Sequence, residues 1–144
     1  MIDTQRKRLI SAPAGAIREI LVDATRMPQL MPRLEQVEVQ EATAERARIT
    51  LSFRLGRLGI QRVTGEARML EDGMRFVAVS PVQVDAHWTV QARGDATEVI
   101  ARLRIDLQKV LGAFSRFVPR RLVEQRIGQE LETSLDALER LATQ

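Results

Sequence analysis

Between Arg46 and Leu55 the chain alternates without a break: Ala47, Ile49, Leu51, Phe53 and Leu55 are apolar, and Arg46, Arg48, Thr50, Ser52 and Arg54 are polar. A period of two over ten residues predicts a strand with one dry face and one wet face. Six further segments read as strands. They are Lys7 to Ala12, Gln36 to Glu41, Ile60 to Leu70, Met74 to Ser80, the stretch from Val82 to Gln91, and Val99 to Leu107. Short turn signals separate most of them, Glu71-Asp72-Gly73 being the clearest, because Asp-Gly tolerates the backbone a tight hairpin needs. Connections this short imply an antiparallel meander.

A period near 3.6 appears twice. Ile17, Ile20 and Leu21 mark a short amphipathic helix over Ala14 to Asp23, followed by a turn from Thr25 to Met31 bracketed by Pro28 and Pro32. The chain closes with a long helix, about Pro119 to Ala142, whose apolar stripe runs through Val123, Ile127, Leu131, Leu135 and Leu138. Leu111 to Val118 is read as a connection or mobile lip. The expected architecture is α+β: a seven-stranded curved antiparallel sheet wrapped around the last helix, with two short helices after the first strand. The 144 residues are expected to form one domain, burying roughly 68–70% of the surface of the unfolded chain.

Charge and composition narrow the chemistry. Formal net charge is +3 and no cysteine is present, so disulfides, thiolate metal sites and cysteine nucleophiles drop out. Acidic and basic residues interleave along most of the chain, which reads as a solvated, ion-paired surface, and nucleic acid is not an expected partner. Arg116, Arg120, Arg121 and Arg126 depart from this by crowding the start of the last helix, where the dipole is already positive. They are the candidate contact for a membrane surface or an acidic partner. No apolar run approaches the roughly 20 residues that span a bilayer, and the N-terminus lacks the apolar region of a signal peptide. The expectation is a soluble, unexported, cytoplasmic protein.

His87 is the single histidine. With Asp85 on the same strand it has the makings of a carboxylate-oriented base, yet the alternation turns both outward, opposite Trp88. No metal site, cofactor or catalytic residue is expected. Gly56-Arg-Leu-Gly59 matches no phosphate-binding fingerprint. Arg102, Arg104 and Asp106 share one strand face, as do Arg62, Glu66 and Arg68, and cross-strand charge pairing accounts for both groups.

The segment from Asp23 through Met27, Pro28, Leu30, Met31 and Pro32 to the strand at Leu34 to Val39 resembles a pattern of the START-like (SRPBCC) superfamily. There an Asp precedes a helical turn with two prolines four residues apart. Met27 and Leu30 stand where members usually carry aromatic residues. Together with the order of elements over the whole chain, this is similar to polyketide cyclase-like and coenzyme Q-binding proteins, which share the helix-grip fold. The resemblance implies a cavity between sheet and last helix, open near the segment before that helix, that takes up lipids, quinones, steroids or polyketides.

Residues expected at such a cavity are Leu51, Phe53, Val63, Met69, Phe76, Trp88, Leu103, Phe114, Phe117, Ile127 and Leu131. The small residues Gly65, Ala67, Ala78, Ala86 and Ala101 are expected to leave room for a ligand. Three functions stand open: a carrier of a hydrophobic small molecule, a cyclase or aromatase enzyme, and a protein- or ribosome-directed module acting through the arginine cluster.

Overall fold

The computed structural model describes residues 1–108, 112 and 117–144. Strand β1 (Ile2–Ile10) leads into helix α1 (Ala14–Val22), a 3-10 turn (Ala24–Arg26) and the single-turn helix α2 (Met27–Leu30). Strands β2 (Leu34–Ala42), β3 (Arg46–Arg54), β4 (Ile60–Leu70), β5 (Gly73–Ala78), β6 (Val84–Arg93) and β7 (Ala96–Ile105) follow, and helix α3 (Arg120–Ala142) closes the chain. All strand pairs are antiparallel, in the order β1-β7-β6-β5-β4-β3-β2. The expected fold class and element order are therefore observed. β2 to β7 form the meander, and β1 is added beside β7.

Pro13, with its fixed φ of -65°, starts α1. Asp23 ends that helix, and its carboxylate then accepts from the Thr25 backbone N–H and hydroxyl, nucleating the turn that carries α2. Pro28 lies in the first turn of α2, where its missing N–H costs nothing, and Pro32, just past the Met31 cap, stops the helix from continuing. Glu71-Asp72-Gly73 turns the chain as expected, and Gly73 has no substitute there: with φ at 152°, an added Cβ would run into the Trp88 carbonyl.

β1 begins at Ile2, five residues before the pattern predicts. Ile2, Thr4, Arg6, Arg8 and Ile10 share one face by the alternation, and Ile2, Thr4 and Ile10 are buried. Two cations on the inner face break the apolar rhythm, so a strand paired from Ile2↔Ile105 to Ile10↔Thr97 shows only its last residues to a hydropathy reading. Acids on α3 meet them. Arg8 bonds Asp136 and Glu132 (2.7 Å to the latter), and Glu139 lies 3.7 Å away. Gly128 supplies a bare patch of helix over which the Arg6 guanidinium lies.

This clamp and an apolar cluster fix one half of α3. Leu135 and Leu138 are fully buried and pack with Ile10, Ile17, Leu21 and Val99. A second cluster, centred on Ile49, Leu51, Val63 and Phe76, occupies the β3–β5 side of the sheet under α2 and contains nothing from α3. Solid core thus lies under the C-terminal half of the helix. Its N-terminal half faces something else.

Candidate functional site: an apolar hollow under the last helix

A cavity of about 490 Å³ lies between the sheet, α2 and the N-terminal half of α3. β3 contributes Leu51 and Phe53, β4 contributes Val63, and β5 contributes Phe76. Trp88 and Leu103 stand on β6 and β7, and Ile127 and Leu131 close the space from the helix side. These eight of the eleven expected residues are brought together, because strand alternation places each on the same face and helical spacing places the last two one turn apart. A second hollow of about 510 Å³, by the β2–β3 hairpin and the end of β5, is edged by Arg46, Arg48, Glu41 and Glu66. Its charged rim suits water better than an apolar guest.

The other three expected residues fare differently. Met69 keeps the inner face but sits at the end of β4, 40% exposed and away from the cavity. It lies past the cover that α3 provides. Phe117 is 81% exposed and does not border the cavity, since it precedes the helix and no described element packs over it. Phe114 lies outside the described residues, as does Arg116.

The small residues also need correction. A side chain at Gly65 would strike the Val77 carbonyl oxygen, the Phe76 ring and Ala78, so the space above that glycine is already taken. Ala101 is fully buried in the solid core, and Ala67 and Ala78 belong with the second cluster. Only Ala86 of the five borders the cavity.

The polar groups at the cavity are of two kinds. Ser134, Gln61 and the Trp88 indole border the cavity, with the Gln61 amide nitrogen bonded to the Leu58 carbonyl at 3.0 Å. Ionised groups gather where the α2–β2 connection meets α3. Arg33 Nε donates to Glu130, and Arg126 Nε lies 3.8 Å from the same carboxylate oxygen. Arg126 belongs to the cation cluster singled out in the sequence, but Arg33 and Glu130 were not anticipated. Arg33 and Glu130 are far apart in the chain, and no local pattern pairs them. Met27 and Met31, which also border the cavity, sat in the double-proline turn and read only as turn residues.

On the outer face Asp85 and His87 are not paired with each other. Asp85 is held by Arg75 through bonds of 2.9 and 2.6 Å, which keep its carboxyl below the ordinary carboxylate range. His87 is therefore left without Asp85. Its Nε2 is buried with no hydrogen-bond partner among the described residues, 3.9 Å from Asp72 Oδ1. One of the two expected cross-strand groupings is seen on this face, where Asp3 accepts from Arg102 and lies 3.8 Å from Arg104, whereas Glu66 binds Arg68 along its own strand and not across to a neighbour. The Arg102 bonds draw the Asp3 carboxyl down, and the Arg68 bond does the same for Glu66.

Comparison with known proteins agrees with this geometry. A family model described as "Polyketide cyclase / dehydrase and lipid transport" matches residues 1–143. Among solved structures, a START superfamily protein from Mycobacterium smegmatis superposes with a TM-score of 0.71 at 16% identity, covering 98% of this chain and 97% of that one. A STAR-related lipid transfer protein from Xanthomonas axonopodis gives 0.72 at 18%, covering 97% and 85%. The Zhui aromatase/cyclase from a Streptomyces species gives 0.72 at 15%, covering 99% and 93%. Identities this low speak for a common fold alone. No curated protein matches the sequence.

Proposed function

The chain belongs to the polyketide cyclase/dehydrase and lipid transport family, within the START-like superfamily, and on that premise we propose that it binds and carries a hydrophobic small molecule of lipid, quinone or polyketide kind in the hollow under α3. One observation carries the reading: about 490 Å³ of space is walled mainly by side chains such as Leu51, Phe76, Leu103 and Leu131, with ionised groups at its margin. Each 100 Å² of apolar ligand surface removed from water there contributes about 2.5 kcal/mol, before the cost of immobilising the guest. Uncharged polar side chains in the wall, Ser134 and Gln61, would orient a guest without titrating near neutral pH.

Trp88 is the single tryptophan and stands in the cavity wall, so its fluorescence reports occupancy. Titration with a short-chain quinone quenches it if the reading is right, and native mass spectrometry of the protein after exposure to a lipid extract shows a bound mass. An unquenched Trp88 together with an empty protein would end the proposal. Cyclase or aromatase activity is the competing reading, since it needs an acid or base within reach of the guest. Turnover of a poly-β-ketone that survives Asp85→Ala and His87→Ala, both remote from the hollow, would favour it over simple carriage.

The rim supplies a loading surface in this proposal. Leu122, 56% exposed, and Val118 border the cavity and open to solvent, with Phe117 beside them. Arg120 is tied to Glu124 and to the Met1 carbonyl, whereas Arg121 has no acidic partner among the described residues. Apolar side chains interleaved with cations suit a membrane surface carrying anionic lipids.

A further inference from the structure

We propose that the carried molecule is an amphiphile with a single carboxylate head, held at the cavity mouth by Arg33 and Arg126 while its apolar tail fills the hollow. The inference rests on the carrier reading and names the class of ligand for the same site.

Charge at the mouth does not balance. Arg33 and Arg126 both border the cavity, and Glu130 between them is the one carboxylate within 4.0 Å of either guanidinium among the described residues. Each guanidinium has five N–H donors. Glu130 takes the Nε–H of Arg33, and its 3.8 Å separation from Arg126 is too long for a hydrogen bond. Two cations share one anion, and among the described residues most of their donors have no acceptor, which leaves them for an incoming group.

The backbone holds these residues in place. Arg33 follows Pro32, and its carbonyl accepts the Arg54 N–H at 2.9 Å, pinning the start of β2 to the end of β3. Arg126 and Glu130 are one turn apart on α3, so they present to the same side. Leu55, Leu58 and Leu122 border the cavity as well, while the Arg126 side chain is 66% exposed and that of Arg33 33%, so the head would sit at a partly solvated mouth with the tail alone inside. A neutral head gains nothing from the surplus positive charge, and a cationic head is repelled. A doubly charged phosphate monoester would overshoot the surplus of one. A carboxylate matches it and accepts two parallel bonds from a guanidinium.

The probes are dodecanoate, its methyl ester and dodecanol, each below its micelle concentration, with Trp88 fluorescence and titration calorimetry as readouts. Dodecanoate is expected to bind about tenfold or more tighter than the ester, with affinity falling as salt rises. Arg33→Gln combined with Arg126→Gln brings dodecanoate down to the level of the ester and leaves ester binding unchanged. Glu130→Gln, which removes the competing anion, tightens dodecanoate alone. If the ester and alcohol bind as well as the acid, or the double variant keeps its preference for the acid, the head-group assignment is overturned and the carrier reading stands. If none of the three probes binds, the head-group assignment is overturned, and the quinone titration with native mass spectrometry decides the carrier reading separately.

Discussion

Gly65 and Ala86 look interchangeable as small residues on a sheet face, and the structure separates them. The Gly65 position is already occupied by Val77, Phe76 and Ala78, whereas Ala86 opens onto the cavity. Gly65→Val is therefore expected to destabilise the fold by about 1–3 kcal/mol in urea unfolding, as overpacking does. Ala86→Phe should instead block Trp88 quenching by ligand while the urea midpoint stays nearly unchanged. The Asp85–Arg75 pair makes a third claim at this scale. Its carboxyl is lowered in the folded protein, so its stabilisation is full above the unfolded value near ~3.9 and disappears as pH falls through the folded value. Wild type and Asp85→Asn should differ at pH 7, by less than about 1 kcal/mol for a pair near the surface, and begin to approach each other only as pH falls below about 4, meeting once the lowered folded value has been passed.

Helix α3 is one continuous helix with two jobs. Its apolar stripe was legible from Val123 to Leu138, but periodicity cannot tell a residue facing solid core from one facing empty space. Leu135, at 0% exposure, packs on all sides, while Leu131 borders the hollow. Leu135→Ala should cost about 2–5 kcal/mol. Leu131→Ala should cost less than about 2 kcal/mol, because part of its surroundings is already unfilled, and it should weaken ligand binding where Leu135→Ala does not. Equal losses of stability would mean that the helix lies on uniform packing. β1 was half legible for the opposite reason: Arg6 and Arg8 face inward to Glu132 and Asp136, and the sequence shows no sign of the acids that make this tolerable.

For the whole molecule, the fold could be read from the order of elements, six cavity residues from strand alternation, and two, Ile127 and Leu131, from helical spacing. The mouth could not. It arises where the α2–β2 connection meets a helix from the far end of the chain, so Arg33 and Glu130 become neighbours only in three dimensions. A residue next to that mouth also misled: Phe117, expected at the cavity, stands in solvent. The rim around it makes a testable surface. Co-sedimentation with vesicles should require anionic lipid, weaken with salt, and fall when Leu122→Ser and Arg121→Gln are combined. Equal binding to neutral vesicles would remove the electrostatic part of the loading surface.

The placement of β1 has a consequence in time. β2 to β7 each pair with a neighbour in sequence, but β1 finds its hydrogen-bonding partner only in β7. During synthesis the first strand must wait, unpaired, until nearly the whole sheet has been made, and the closing helix that neutralises Arg6 and Arg8 emerges later still. Such non-local closure slows folding. It also makes the nascent chain a natural client for a chaperone that shields Ile2 and Ile10 until β7 arrives.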